Sequence, residues 1–205
     1  MRVFPLALHP ALARTSRVPR LVGDCQQLQL AEVMFLAAVG CAAAVATVFV
    51  DFHPRMPGHA VLRAVLPIAL GLAVVPRRMG GTVMSGSALA TALAVKFTAL
   101  GAVGAGALAS LVLIGPLLDA ATWRARAGRG LYFGFIVAAL GANLAAFVVR
   151  SGAKLAGLEH VGARPFSLWW PQAVVSYALF GILAGLLSAA VWFQLRDNQH
   201  DAANG

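Results

Sequence analysis

Residues 51–86 read DFHPRMPGHAVLRAVLPIALGLAVVPRRMGGTVMSG, and this stretch decides how the chain is organised. It begins with a polar loop that holds His53 and His59, continues as an apolar run interrupted by Pro67, and closes with a Pro-Arg-Arg turn and a pair of glycines. An apolar run bounded on both sides by charged segments is typical of a membrane-spanning helix. Because the run separates the two polar segments, we expect them on opposite faces of a membrane.

Composition places the rest of the chain in lipid as well. Of the 205 residues, 60% are apolar and 11% are charged, whereas charged residues make up about 25% of a soluble domain. The charges form short islands between apolar runs of about 17–25 residues, the length that crosses a hydrocarbon core of roughly 30 Å. The net charge of +9 comes from basic residues near helix ends, where they set topology and meet anionic lipid. Membrane lipid is therefore the expected partner, and nucleic acid is not.

We expect an all-α fold, a polytopic membrane protein with six transmembrane helices in one bundle over residues 29–194. A basic N-terminal tail covers residues 1–28, and a polar C-terminal tail covers residues 195–205. The helices are expected at about residues 28–50, 59–75, 81–99, 102–122, 130–149 and 169–193. With the N-terminus inside, the inner segments carry ten Lys and Arg residues and the outer segments six. This bias predicts cytoplasmic N- and C-termini for a multi-pass protein of the inner (plasma) membrane.

Under this topology, several polar and aromatic side chains fall on the outer side of the bundle. Polar groups at this depth mark a ligand path or a contact buried within the protein. Gln172 and Ser176 are four residues apart and therefore share one face of the last helix. The candidate substrate-binding residues are His53, His59, Lys96, Asn143, Trp169, Gln172, Ser176 and Tyr177.

These candidates also have interpretations that involve no ligand. Trp169 is more typical of an aromatic belt at the membrane interface, and Lys96 can extend to the lipid headgroups. Asn143 can serve equally well to join two helices. The sequence leaves these alternatives open.

Binding is favoured over catalysis. Asp51, His53 and His59 offer the oxygen and nitrogen ligands of a transition metal, although a loop histidine beside prolines is more often only a polar loop residue. The sequence shows no compact group of nucleophile and base at membrane depth, and no phosphate-binding loop. We therefore expect no enzymatic activity and no resident cofactor, and the metal site stays an open alternative.

The first helix carries small residues at four-residue spacing, at Ala38, Ala42 and Ala46. Small residues at this spacing let helix backbones approach closely in lipid. Such a face docks a partner protein or packs against a neighbouring helix of the same chain, and the sequence does not choose between the two.

Several segments resemble one family of membrane proteins. They are the alanine-rich first helix, LPIALGLAVVPRRMGGTVMSG over 66–86, GALASLVLIGPLLDA over 106–120 and GLYFGFIVAALGANLAAFVVR over 130–150. Across roughly residues 29–194 the chain is similar to the substrate-binding S components of energy-coupling factor (ECF) vitamin transporters. It departs from them at Val75-Pro76, where Gly-Pro is common, and in lacking the Met-His start of the cobalt and nickel S components.

The resemblance implies a membrane-embedded substrate-capture subunit of a small-molecule importer. Such a subunit binds a vitamin-like or micronutrient ligand near the outer leaflet, under the loop that follows the first helix, here residues 51–60. The small-residue face of the first helix would dock a transmembrane T component that is driven by ATPase subunits. Two other hypotheses stay open: a structural or assembly membrane protein without a ligand, and a stand-alone secondary transporter. No acidic residue lies deep in the second, third, fifth or sixth helix, so the transporter lacks an obvious proton carrier.

Overall fold

The structure, a computed structural model, describes residues 29–49, 58–98, 103–125, 128–157 and 166–204. These residues form six α-helices, which confirms the all-helical prediction. The helices are α1 Leu30–Phe49, α2 Ala60–Val74, α3 Gly80–Phe97, α4 Ala105–Arg124, α5 Gly128–Leu155 and α6 Phe166–Asn204.

Two helices are longer than the sequence pattern indicated. α5 continues past residue 149 to Leu155 and is followed by Gly157, whose φ of 71° gives the left-handed conformation that commonly follows a helix end. α6 runs on to Asn204, through the segment that we expected to be a polar tail. That segment contains neither proline nor glycine before Gly205, so it holds no signal that would end the helix at residue 193.

Four of the described helices are long and apolar enough to cross a membrane. They are α1, α4, α5 and residues 166–195 of α6. α2 has only 15 residues, which at 1.5 Å per residue span about 22 Å. The first turns of α3 are less apolar, because they contain glycine, serine and threonine. Large apolar side chains such as Phe133 and Leu179 are more than half exposed, as lipid contact requires. These helices support a membrane protein, and the six-span arrangement stays a prediction.

α2 lies at the centre of the bundle. It packs against all five other helices, which contact one another in the order α1, α3, α4, α5, α6. More than half of its residues are buried, and Ile68 and Leu72 belong to the main hydrophobic core. A helix that is apolar on every side can be buried on every side. The apolar helix within residues 51–86 is therefore the central element of the fold.

The bundle has two ends, which we name after the residues that mark them. At the Gly58 end, the starts of α2 and α6 lie against the last half of α5, since Asn143 contacts both Gly58 and Tyr177. At the Arg77 end, the start of α1 meets the turn between α2 and α3 through an ion pair of Glu32 with Arg77 (2.9 Å). In the predicted topology, the Arg77 end faces the cytoplasm.

α3 and α4 cross in close contact at the Arg77 end. The Gly115 N–H donates to the Ser85 hydroxyl (2.8 Å), and an added Cβ at Gly115 would collide with the Gly81 carbonyl oxygen and with Ser85. Small residues thus let the two backbones touch, which is the main route to tight helix packing in lipid.

Asp119 completes this crossing by capping α3 from α4. Its carboxylate accepts hydrogen bonds from the Gly81 N–H (2.8 Å), the Thr82 N–H (2.8 Å) and the Thr82 hydroxyl (2.7 Å). The residue that precedes α3, Met79, makes no side-chain capping bond and has a left-handed φ of 69°. The first N–H groups of a helix need an acceptor outside the helix. Asp119 therefore does from a neighbouring helix what a local Ser or Asp usually does.

Candidate ligand-binding site

The Gly58 end is organised around Asn143, a buried residue in the second half of α5. Its side-chain amide donates to the carbonyl oxygens of Gly58 (3.2 Å) and Tyr177 (2.6 Å), and so joins α5 to the starts of α2 and α6. Both amide hydrogens are thereby committed to the backbone. Asn143 positions the helices around the site, and its N–H donors are not available to a ligand in this arrangement.

Gly58 permits the close approach of α2 to α6. Its φ is 95°, a conformation that residues with a Cβ rarely adopt. An added Cβ would also lie 2.9 Å from the Tyr177 Cα. The start of α2 can therefore contact the α6 backbone only with glycine at this position.

His59, the residue before α2, forms a polar pair with Arg63 on the first turn of that helix. Arg63 Nη2 lies 2.8 Å from His59 Nε2, and because arginine carries only donors, the imidazole Nε2 is the acceptor. The His59 ring also meets the Phe180 ring of α6 edge-on, with centroids 6.3 Å apart. The hydrogen bond from Arg63 occupies the Nε2 lone pair, which His59 would need in order to bind a metal through that nitrogen.

Nothing in the described part of the chain completes a metal site around His59. No three His, Cys, Asp or Glu side chains come together there. The other two metal candidates, Asp51 and His53, lie outside the described residues, as does most of the loop over residues 51–60 that was expected to cover the ligand.

Aromatic and basic side chains of α5 and α6 form the second part of the site. The Tyr177 ring packs edge-on against Phe147 (5.5 Å between centroids), and Phe147 stacks on Trp169 (6.0 Å). Arg150 Nη1 lies 3.4 Å from the Tyr177 hydroxyl, and Lys154 Nζ lies 4.8 Å from the centre of the Trp169 ring. One cation thus lies over an aromatic ring, where cation–π attraction helps to hold Lys154, and the other contacts a phenol hydroxyl.

We call these residues together the Gly58-end cluster. Its members come from α2, from the residue that precedes it, and from α5 and α6, and they lie at the same end of the bundle. They are His59, Arg63, Asn143, Phe147, Arg150, Lys154, Trp169 and Tyr177.

The sequence candidates divide into two groups. His59, Asn143, Trp169 and Tyr177 come together in the cluster, and Ser176 is partly buried beside Tyr177 on α6. Lys96 and Gln172, by contrast, are exposed: Lys96 near the end of α3 and Gln172 on α6.

Sequence reasoning missed the basic members of the cluster and Phe147. Arg63, Arg150 and Lys154 counted only toward membrane topology, where basic residues are expected near helix ends. A signal was present in their spacing, because His59/Arg63 and Arg150/Lys154 are each four residues apart and so share a helix face. Phe147 carried no comparable signal in an apolar helix.

Charge is distributed unevenly between the two ends. Among the side chains that the structure describes, the acidic ones are Glu32 and Asp119, and both are engaged at the Arg77 end. The cluster contributes Arg63, Arg150 and Lys154 at the other end. Its chemistry is therefore that of hydrogen-bond donors and aromatic faces.

The small-residue face of α1 points away from the rest of the bundle. Ala38 and Ala42 are exposed and Ala46 is partly buried. The opposite face does the internal packing, since an added Cβ at Gly40 would collide with the Met84 carbonyl oxygen on α3. Packing against another described helix thus does not account for Ala38 and Ala42.

Comparison with known proteins adds no assignment. No family model, no curated protein and no solved structure matches the chain.

Proposed function

We propose that the protein is a membrane-embedded substrate-capture subunit of a small-molecule importer, with its ligand held at the Gly58 end. In this proposal the chain crosses the plasma membrane six times, and both termini are cytoplasmic. The four long apolar helices support the membrane placement, and the excess of Lys and Arg in the predicted inner segments supports the orientation. The ligand is a vitamin-like or other micronutrient molecule.

The observation that carries this proposal is the convergence of three helices on the Gly58-end cluster. Asn143, Tyr177 and Trp169 come from distant parts of the chain and are linked by contacts through Phe147. His59 directly follows Gly58, whose carbonyl oxygen accepts a hydrogen bond from Asn143. Polar groups held together within apolar helices are costly in a membrane and commonly mark a ligand path. A binding function explains why so many of them occur at one end.

The exposed alanine face of α1 supports a membrane partner. Ala38, Ala42 and Ala46 would let a helix of another protein approach closely, and in an importer that protein is a transmembrane T component coupled to ATPase subunits. The chain then captures the ligand, and the partner module supplies the energy for its release to the cytoplasm.

Ligand binding is tested by thermal unfolding of the purified full chain in a neutral detergent. Vitamins, cobalt, nickel and small organic anions are screened, because a ligand of the folded state at about 100 times its Kd adds about 2.7 kcal/mol to the unfolding free energy. We expect one compound to raise the Tm saturably, and the rise to be lost in His59→Ala. Gln194→Ala, at an exposed position far along α6 from the cluster, is the matched control. A screen without any saturable shift, or an undiminished shift in His59→Ala, would count against the proposal.

Partner docking is tested separately by co-purification with candidate T and ATPase subunits. Ala42→Leu is expected to abolish the association while leaving the Tm unchanged, because Ala42 is exposed in the chain by itself. Undiminished association of Ala42→Leu would remove this face from the proposal.

A structural or assembly role is the second candidate, and one observation favours it. Asn143 spends both amide hydrogens on backbone carbonyls, which is how polar side chains join helices in membranes. This role predicts self-association or partner binding without any stabilising ligand. A secondary transporter has less support, because the described acids, Glu32 and Asp119, are both engaged in contacts at the Arg77 end.

A further inference from the structure

We propose that Arg150, Lys154 and the Tyr177 hydroxyl form a subsite for an oxyanion, so that the captured ligand carries a phosphate or carboxylate group. The inference rests on the proposed function and narrows it, because it assigns the ligand a chemical class. The same chemistry is offered by the phosphate of a lipid headgroup, and the experiment below separates the two sources.

The first support is the geometry of the two cations. Arg150 and Lys154 lie four residues apart near the end of α5 and share one face, where like charges repel each other. Both are nevertheless directed onto neighbouring aromatic side chains, Arg150 to the Tyr177 hydroxyl at 3.4 Å and Lys154 over the Trp169 ring at 4.8 Å. Both side chains are partly buried. Two cationic donors are thereby held next to the same group of α6 side chains.

The second support is the rigidity of the platform that holds them. Tyr177, Phe147 and Trp169 form a continuous series of ring contacts, and Asn143 fixes the Tyr177 backbone by a 2.6 Å hydrogen bond. Donors that are positioned before the ligand arrives lose less side-chain freedom on binding. Guanidinium and hydroxyl groups donate, and phosphate and carboxylate oxygens accept, so the chemistry is complementary.

The third support is the charge of this end of the molecule. In the predicted topology, the segments at the Gly58 end contain six Lys and Arg residues and two acidic residues, Asp51 and Glu159. Even if each acid neutralises one cation, positive charge remains in excess. A helix C-terminus favours cations through its dipole, but the dipole alone does not explain why both side chains turn onto aromatic groups of α6.

The test measures the Tm of the full chain in neutral detergent with sodium phosphate, sodium acetate or sodium chloride at matched ionic strength. We expect phosphate or acetate to raise the Tm saturably above the chloride value. Lys154→Gln and Arg150→Gln should each raise the half-saturating concentration about tenfold, the cost of losing one charge-assisted contact. Arg129→Gln is the matched control, since it removes an exposed cation from the opposite end of the same helix.

Two outcomes overturn the inference. One is an equal response of wild type and Lys154→Gln, and the other is an equal loss of response in Arg129→Gln, which would indicate a general charge effect. If Arg150→Gln does not give monodisperse protein, Arg150→Lys, which keeps the charge and is expected to keep much of the response, replaces it. Lys154→Gln carries the test in either case, because its contact with the Trp169 ring is made by the flexible end of the side chain.

The lipid source is examined with short-chain phosphatidylglycerol against phosphatidylcholine of the same chain length. A stabilisation by phosphatidylglycerol alone, weakened in Lys154→Gln, supports the subsite with a lipid headgroup as its occupant. Failure of this inference is distinguishable from failure of the proposed function. A neutral ligand whose effect is lost in His59→Ala but kept in Lys154→Gln would overturn the oxyanion subsite and leave ligand capture standing.

Discussion

Replacing Asp119 with alanine should reveal how much one carboxylate contributes to the Arg77 end. The change removes the acceptor for three donors of α3, namely the Gly81 N–H, the Thr82 N–H and the Thr82 hydroxyl. Losing a helix N-cap costs about 0.5–2 kcal/mol, and a hydrogen bond to a charged group contributes about 1.5–3 kcal/mol. The three bonds share one carboxylate and the Thr82 hydroxyl can rotate to another acceptor, so their contributions do not add fully. We expect a loss of about 3 kcal/mol in the free energy of unfolding.

The measurement is an unfolding titration with dodecyl sulfate in mixed micelles, followed by circular dichroism. Asp119→Asn should cost less than Asp119→Ala, because the amide oxygen can still accept from the Thr82 N–H and hydroxyl, and only the Gly81 N–H then faces a donor. Thr122→Ala is the matched control on the same helix: its hydroxyl donates only to the Asp119 carbonyl oxygen (2.9 Å), and its loss should cost less than about 1 kcal/mol. The reasoning is refuted if Asp119→Ala unfolds within about 0.5 kcal/mol of wild type, the range of an ordinary surface change.

Three further variants address the packing and the site, and each is compared with wild type in the same titration. Gly115→Ala should lower the free energy of unfolding by about 1–3 kcal/mol, because the added Cβ forces the α3–α4 crossing apart. Gly130→Ala, with no atom within 4 Å of the added Cβ, should not destabilise the protein. Equal effects of the two variants would contradict the close-contact explanation. Glu32→Gln should lower the free energy of unfolding only slightly, because its ion pair with Arg77 is partly exposed and screened by solvent. A loss that does not shrink with added salt would speak against an ion pair. Tyr177→Phe should change the free energy of unfolding by less than about 1 kcal/mol, because the hydroxyl contact with Arg150 is long. The same variant should weaken the stabilisation by anions. An unaltered response to anions would exclude the hydroxyl from the subsite.

The ends of a helix could be predicted from the sequence wherever the chain carries a residue that stops or starts helices. The turn between α2 and α3 was found because Pro76 restricts the residue before it and two arginines follow. The end of α6 was not found, because polarity alone does not stop a helix, and the segment after residue 193 has no proline or glycine before its last residue. α2 has 15 residues, which span about 22 Å, so its crossing of the membrane stays a prediction.

The candidate site was accessible in part. Polar residues in apolar helices stand out in a sequence, which is why Asn143 and Tyr177 could be selected before their contact was known. Their roles could not be predicted, because the sequence around Asn143 is the same whether its side chain joins helices or contacts a ligand. Arg150 and Lys154 were hidden by the general rule that basic residues mark helix ends, and only their contacts with Tyr177 and Trp169 separate them from ordinary topology signals.

The sequence by itself indicates that this protein is surrounded by lipid and that its secondary structure is helical. A chain with 60% apolar residues must bury or expose them to lipid, and in lipid a helix satisfies its own backbone hydrogen bonds. The tertiary structure alone decided which residues meet. Asp119 caps a helix that begins 39 positions earlier in the chain, and Asn143 reaches the Gly58 carbonyl across 85 positions. Such pairings follow from the order in which helices pack around α2, and local sequence patterns do not encode that order.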